Sequence, residues 1–425
     1  MQPRRVLVFP GGTEIALEVH RALGWCKEVS LLAAGADVSS HMRFVFNESH
    51  VLPMVNDPEW LPAMRELVSA QAVDYIIPAH DDALLAVAEH AGQLPGVITS
   101  PVETCRITRS KLATYAHLSG VVRTPRVLDP GSVDTFPVVV KPDIGQGSQG
   151  MHVVDSREEL DFRMAEDPTR IVLECLPGRE YTVDCFSDRE EGLLFCGGRE
   201  RIRTRAGISM DSQPVTDPRF RELAEAIAQR LELHGAWFFQ LKHDVDGALA
   251  LLEVAPRIAG TSALYRAMGV NFPLLSIFEH ERLPLKVLVN DAVVRIDRAL
   301  VNRYRHDLAF TRVYVDLDDT LVVRGRVNTE LVSLLYQCVD RGIRVCVLTR
   351  HVIEPAGTLR RHRLSELPDE VIHLTAGEPK SSVIDTTGGA IFIDDSFSER
   401  LEVAERLGIP TFDCSMIELL IDARV

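Results

Sequence analysis

The chain has 425 residues, enough for about two to four domains rather than one core. A charged fraction of 25% and a hydrophobic fraction of 46% are those of a soluble globular protein. A formal charge of −15 argues against a nucleic-acid partner, although a local basic pocket for a nucleotide remains compatible with that total.

The chain opens on MQPRRVLVFPGG, a short apolar run that meets Pro10, Gly11 and Gly12 and reads as a first strand and turn, not a signal peptide. No uninterrupted apolar stretch reaches spanning length, so no membrane segment is expected. The eight cysteines form no CxxC pair and sit mostly inside apolar runs, as buried reduced thiols of a cytoplasmic protein would. Lysine is scarce: only Lys27, Lys111, Lys141, Lys242, Lys286 and Lys380 occur among 46 basic residues. Where arginine serves for surface charge, a retained lysine is a candidate for a site that needs a compact point charge.

Strand-length apolar runs at 5–9, 29–33, 73–77 and 96–99 alternate with amphipathic helical stretches such as 58–70 and 82–91. That rhythm predicts a parallel sheet with helices on its faces. From about residue 100 to 290 strands become denser and glycine-rich turns appear. Within this stretch FPVVVKPDIGQGSQGMHVV is a strand ending in Lys141, a loop carrying Gly145, Gly147, Ser148 and Gly150, and another strand. Small residues let backbone N–H groups approach phosphate oxygens, and the lysine adds charge. The glycines alone fit a plain hairpin turn equally well, and the order differs from a P-loop because the lysine precedes the loop. Lys111 starts a helix upstream. Glu174 and Glu180 follow in IVLECLPGREYTVDCF, then Gln240, Glu253 and Arg257 in QLKHDVDGALALLEVAPR. Arg199, Arg201, Arg203 and Arg205 of GRERIRTRAGIS suit a substrate carboxylate or phosphate, and most of them fit a solvated strand edge equally well, with Arg203 or Arg205 before Gly207 fitting a substrate loop.

This order of motifs resembles the ATP-grasp superfamily, especially the branch of carbamoyl-phosphate synthetase, biotin carboxylase and carboxylate–amine ligases. The resemblance spans about residues 1–295. It implies an N-terminal α/β pre-ATP-grasp domain (1–100) and an α+β ATP-grasp domain (101–299). By the resemblance Lys111 and Lys141 bind the ATP phosphates, and Glu174 with the neighbouring backbone at Leu176 holds the adenine. Glu180 takes the ribose, Gln240 and Glu253 hold magnesium, and Arg257 binds the transferring phosphoryl group or acyl phosphate. One departure stands out: the usual Glu-x-Asn-Pro-Arg reads Glu253-Val-Ala255-Pro-Arg257 here, and alanine cannot ligate a metal. Either water replaces that ligand or the metal site is weakened.

After a polar stretch ending near residue 311, strand–helix alternation restarts. VYVDLDDTL places Asp316, Asp318 and Thr320 at the end of an apolar strand, where open α/β sheets bind ligands. RVCVLTR ends a strand at Thr349, GEPKSSVI puts Lys380 at a helix start, and AIFIDDS ends a strand at Asp394 and Asp395. Converging carboxylates, a hydroxyl and a lysine suit phosphoryl transfer through an aspartyl-phosphate, with a hard cation neutralising charge. His306, His351 and His362 show no metal spacing and read as surface or core residues.

These motifs resemble the haloacid dehalogenase (HAD) superfamily, and the resemblance implies a Rossmann-like domain over 308–425. It assigns Asp316 as nucleophile, Asp318 as general acid/base, Thr349 to a phosphoryl oxygen and Lys380 to charge balance. Magnesium would be held by Asp316, the Asp318 backbone carbonyl and Asp394, supported by Asp395. The intervals Asp316–Thr349 and Thr349–Lys380, 33 and 31 residues, leave no room for a large cap. An open site then meets a bulky substrate, or the preceding domain supplies the lid. The combined expectation is a bifunctional ligase and phosphatase using ATP and Mg2+, or Mn2+ in its place. Its partners would be small carboxylate and amine substrates and a phosphorylated metabolite, and a homodimer is compatible with the sequence. A bicarbonate reaction like that of carbamoyl-phosphate synthetase, or a nucleotide-sensing role for the first half, are the alternatives.

Overall fold

The strand Arg4–Phe9 lies at the centre of a five-stranded parallel sheet, flanked by Val29–Gly35 and Ser49–Val51 on one side and Tyr75–Pro78 and Gly96–Val97 on the other. Its side chains alternate as a strand requires. Val6 and Val8 enter one core with helix Glu14–Leu23, while Leu7 and Phe9 enter another with Trp60 and Met64. This computed structural model describes residues 2–145, 147–292, 294–374, 377–422 and 424. Two compact units emerge, one running to Leu300 and the other spanning Val301–Arg424. None of the described helices is long and apolar enough to cross a membrane.

In the first unit two antiparallel sheets follow the parallel one. A four-stranded sheet has the order Val127–Leu128, Ile171–Glu174, Val138–Lys141, His152–Val154. A six-stranded sheet has the order Leu249–Ala255, Gly235–His243, Glu180–Asp188, Gly192–Arg205, Ile208–Val215, Ile296–Asp297. Alternation again decides what faces where. Val183, Cys185, Trp237, Phe239 and Leu241 pack against helix Pro218–Ala228. Their neighbours Thr182, Asp184, Phe238, Gln240 and Lys242 therefore point to the opposite face. In the smaller sheet Val138 and Val140 pack on Leu160 of helix Arg157–Glu166, which leaves Val139 and Lys141 on the other side. The core that holds Val6 and Val8 also contains Phe186, Phe195, Tyr265 and Phe272, so the stretches expected as 1–100 and 101–299 share apolar burial.

The second unit carries a five-stranded parallel sheet in the order Glu370–His373, Arg344–Thr349, Arg312–Val315, Ala390–Ile393, Thr411–Phe412. Two cores cover its faces, one around Val313, Val347 and Ile391 and one around Tyr314, Leu348 and Phe392. Between Asp316 and the strand Arg344–Thr349 stand only the hairpin of Val322–Val323 and Arg326–Val327 and helix Thr329–Asp340. Helix Pro355–Arg361 follows Thr349. All eight cysteines are free; Cys105, Cys185, Cys338 and Cys346 are buried, and the other four are half-buried.

Candidate functional site

In the first unit a cavity of about 170 Å³ is lined by side chains from both antiparallel sheets. Lys141 reaches it because the strand Val138–Lys141 ends there with Val139 and Lys141 on the cavity side. Burial, and then repulsion from Lys111, pull the Lys141 ammonium down to about 8. Lys111 opens helix Lys111–His117, whose Ser110 cap accepts from the Ala113 N–H at 3.0 Å. The Lys111 ammonium donates to the carbonyls of Asp143 (3.1 Å) and Gly145 (3.2 Å), and burial lowers its pKa. Asp143 in turn accepts from Ser110 Oγ and the Leu112 N–H, which ties the glycine loop to that helix.

Gly147, Ser148 and Gly150 all have positive φ (58°, 56° and 67°), a conformation costly for serine and natural for glycine. The motif residue Gln146 lies outside the described residues. Across the cavity Gln240 stands directly opposite Glu253 on neighbouring strands, both facing the lysines. Apolar Val139, Met151, Leu173 and Leu176 line the same space. Apolar lining, two lysines and a cross-strand oxygen pair match a purine, a polyphosphate and a hard divalent cation. Glu180 lies at the cavity edge, its carboxylate 2.7 Å from Arg201 Nε and 3.9 Å from Lys242 Nζ. The Glu174 carboxylate is held by Arg123 at 3.1 Å and by the Arg126 N–H at 3.1 Å.

Arg257 is fixed more tightly than its sequence position implies. Its Nε and Nη2 donate to the two carboxylate oxygens of Asp81 at 2.6 and 2.8 Å, Nη1 donates to the Ile258 carbonyl, and its guanidinium lies 5.2 Å from the Phe238 ring centroid. Burial pushes the Asp81 carboxyl up, but Arg257 outweighs it and holds the group below the usual carboxylate range. Asp81 starts helix Asp81–Glu89, after a strand of the parallel sheet, and no local spacing announces its partner.

One expectation is corrected here. Among the arginines of 199–205, the one in the cavity is Arg201, donating to the Gly207 carbonyl at 2.6 Å. Arg203 pairs with Asp297 on an exposed face, and Arg205 is exposed. Bulges between Arg201 and Thr204 shift that strand's register, which the sequence pattern does not reveal. Lys242 also lines the cavity, and the scarcity of lysine, with its position two residues beyond Gln240, was the signal for it.

In the second unit the strand ends converge as expected from the sequence. Lys380 Nζ donates to Asp316 at 2.7 Å and to Asp394 at 2.6 Å, and all three residues are buried. Burial raises the Asp316 carboxyl to about 7 against the pull of Lys380, and burial likewise raises Asp394. Burial alone would lower Lys380, yet the two carboxylates keep its ammonium above the ordinary range. One carboxylate oxygen from each of Asp316, Asp394 and Asp395 lies within 4.8 Å of the others, a hard-donor set that fits a magnesium-like ion. Thr320 positions Asp395, accepting from its N–H at 2.9 Å. Thr349 is fully buried, its hydroxyl accepting from the His351 N–H. His351, read from the sequence as a surface or core residue, is instead a site neighbour. Its Nδ1 lies 2.8 Å from Asp318 Oδ2 and its Nε2 lies 2.8 Å from the Thr358 hydroxyl. Two residues past a strand end, it turns back over the site.

Residues 166–299 match the family model described as "ATP-grasp in the biosynthetic pathway with Ter operon". The carbamoyl phosphate synthase large chain of Clostridium botulinum (strain Alaska E43 / Type E3) is 32% identical over 178 residues, covering 38% of this chain and 16% of that one. The chain thus spans about a sixth of the length of this curated relative. Among solved structures, a biotin carboxylase–β,γ-ATP complex from Campylobacter jejuni aligns with a TM-score of 0.57 at 17% identity, covering 68% of this chain and 74% of that one. An L-amino acid ligase from Bacillus licheniformis aligns with a TM-score of 0.53 at 18% identity, covering 67% and 76%. Over residues 166–299 the chain thus resembles an ATP-grasp family, and over about two thirds of its length it shares the fold of these biotin carboxylase and L-amino acid ligase structures.

Proposed function

We propose that the first unit is an ATP-dependent carboxylate–amine ligase working through an acyl phosphate. The cross-strand pair Gln240 and Glu253 facing Lys141 and Lys111 carries this reading, because it sets oxygens suited to a metal against cations suited to phosphates in a cavity that apolar side chains also line. Arg257, positioned by Asp81, then stands where a transferring phosphoryl group needs a cation. Glu253 and Gln240 would hold magnesium, which supplies Lewis-acid charge to the phosphates when bound. The similarity to an L-amino acid ligase favours an amide- or peptide-forming product. The similarity to carbamoyl phosphate synthase favours, as the second reading, a bicarbonate acceptor.

We propose for the second unit a HAD-type phosphatase with Asp316 as nucleophile and Asp318 as general acid/base. The Lys380 ammonium bridging Asp316 and Asp394 beside a three-carboxylate cluster carries it. Mass spectrometry of products formed from ATP, Mg2+ and a metabolite pool tests both halves. An ATP-dependent amide that disappears in Lys141→Ala and Glu253→Gln supports the ligase. A carboxylated or carbamoylated product favours the second reading, and ATP consumption at the parent rate in both variants removes the assignment. Loss of phosphomonoester hydrolysis in Asp316→Asn, with ligation retained, supports the phosphatase.

A further inference from the structure

Arg400 stands one turn into helix Phe397–Leu407, which follows the strand Ala390–Ile393 after the segment Asp394, Asp395 and Ser396. Helical side chains lean back toward the N-terminus, and this one returns to that segment. Its Nη1 donates to the carbonyls of both Asp394 and Asp395, at 2.6 and 2.8 Å. Its Nη2 lies 3.6 Å from Asp413 Oδ2, just past the edge strand Thr411–Phe412, and the side chain is only 11% exposed. The guanidinium also lies 5.9 Å from the Phe397 ring centroid.

Asp394 and Asp395 each give a carboxylate oxygen to the three-carboxylate cluster with Asp316. A guanidinium paired with those carboxylates would compete with a cation for their lone pairs. Arg400 instead directs Nη1 to the peptide carbonyls, and Asp413 offsets its charge. It therefore fixes both residues without consuming the oxygens of the cluster. The two carbonyls fall between the end of the strand and the first helical bond, from the Arg400 N–H to the Ser396 carbonyl at 3.1 Å. Among the described residues neither ladder uses them. The other bonds of the segment serve the same end. The Asp394 N–H donates to the Phe412 carbonyl at 3.0 Å, and the Asp395 N–H donates to the Thr320 hydroxyl at 2.9 Å.

We propose that Arg400 is a positioning residue of the second unit's site: by bridging the Asp394 and Asp395 carbonyls it sets the carboxylate geometry that a small divalent cation demands. Metal affinity of the cluster then depends on a side chain that offers the metal no ligand atom. The inference rests on the phosphatase reading above.

Titration of the full chain with Mn2+, without nucleotide and followed by the paramagnetic resonance signal of the free ion, tests it. Binding that weakens in Asp394→Asn or Asp395→Asn is that of the cluster. Arg400→Met is expected to weaken the same binding by about tenfold to a hundredfold. Arg400→Lys keeps a charged donor and should recover part of the loss. If Arg400→Met does not fold, Arg400→Gln serves in its place, since it suits a helix and ends short of both carbonyls. The Mn2+ concentration that half-activates hydrolysis of 4-nitrophenyl phosphate should rise by the same factor as the dissociation constant. Parent-like Mn2+ affinity in the folded Met or Gln variant overturns the inference, and the phosphatase reading stands. A fall in kcat with half-activation unchanged marks a structural brace and also overturns it. If neither Asp394→Asn nor Asp395→Asn alters Mn2+ binding, the reading and the inference fall together.

Discussion

The backbone of Gly207 lies against that of Gly147: a Cβ on Gly207 would sit 2.3 Å from the Gly147 carbonyl carbon. Gly207 also has φ +74°, so any other residue there is both strained and obstructed. The turn after Arg205 thereby holds the glycine loop, and the Arg201 contact to the Gly207 carbonyl fastens it from the cavity side. Gly207→Ala is expected to push the loop away and weaken binding of a magnesium–ATP analogue by about tenfold, an overpacking cost of about 1–3 kcal/mol. Gly192→Ala is the control. Its φ is similar, +78°, but nothing lies within 4 Å of the added atom, so calorimetry should show unchanged affinity.

On the proposed phosphate-binding role, Lys141 should give the nucleotide affinity a pH dependence. Its pKa of about 8 in the nucleotide-free protein rises when phosphate anions arrive, so binding takes up a proton above that pH. Affinity is therefore full below pH 8 and falls as pH rises, by up to about tenfold per unit, until the pKa of the bound state is reached. Lys141→Arg, charged throughout, should flatten this dependence. Isothermal titration in two buffers of different ionisation enthalpy measures the proton uptake directly. A slope of zero in the parent protein between pH 8 and 9 counts against a depressed lysine.

The fold was legible where periodicity is strong. Val6, Leu7, Val8 and Phe9 alternate between two cores, and the parallel strands fall close to the apolar runs. In the sites, residues that end strands were readable: Lys141, Asp316, Thr349, Asp394. What sequence spacing could not supply were partners from distant elements. Asp81 meets Arg257 across 176 positions, and His351 meets Asp318 only because a loop folds back. Among the candidate arginines, Arg203 and Arg205 were preferred over Arg201 because the bulges that follow Arg201 and turn them out of step leave no mark in the sequence. Long-range pairing and local register are tertiary outcomes, and a one-residue shift changes which arginine enters the cavity.

Asp81 is expected to matter for both stability and chemistry. With side chains 17% and 12% exposed, Asp81 and Arg257 form a largely desolvated pair, and removing one partner leaves the other charge unmet. Asp81→Ala should cost about 3–5 kcal/mol in unfolding free energy, read by denaturant titration. Because the folded pKa of Asp81 is depressed, its contribution is complete above about pH 4 and is lost as pH falls through the folded value. Asp81→Asn keeps the shape but lets Arg257 rotate. It should lower kcat for ADP release while changing the KM for ATP little, since the role proposed for Arg257 is to meet the transferred group rather than the nucleotide. Parent-like kcat in Asp81→Asn would show that Arg257 needs no such anchor.

His351 should act through Asp318. The Asp318 side chain is 51% exposed, and a carboxylate so open to water has no packing to orient it; the His351 ring, 15% exposed and braced by Thr358, supplies that orientation. On the proposed phosphatase mechanism Asp318 protonates the leaving oxygen, a step that matters for an alkoxide and little for a stabilised phenolate. His351→Ala is therefore expected to lower kcat/KM for an alkyl phosphate by about tenfold or more, but for 4-nitrophenyl phosphate by no more than about twofold. His351→Asn places an N–H donor where Nδ1 stands and should recover most of the alkyl-phosphate rate. Asp316→Asn should abolish hydrolysis of both, because without the carboxylate nucleophile no aspartyl-phosphate forms and neither leaving group is displaced. If His351→Ala depresses both substrates alike and His351→Asn rescues neither, the ring is a structural brace and not a positioning residue. If Asp316→Asn still hydrolyses either ester, Asp316 is not the nucleophile, and the role of Asp318 falls with it.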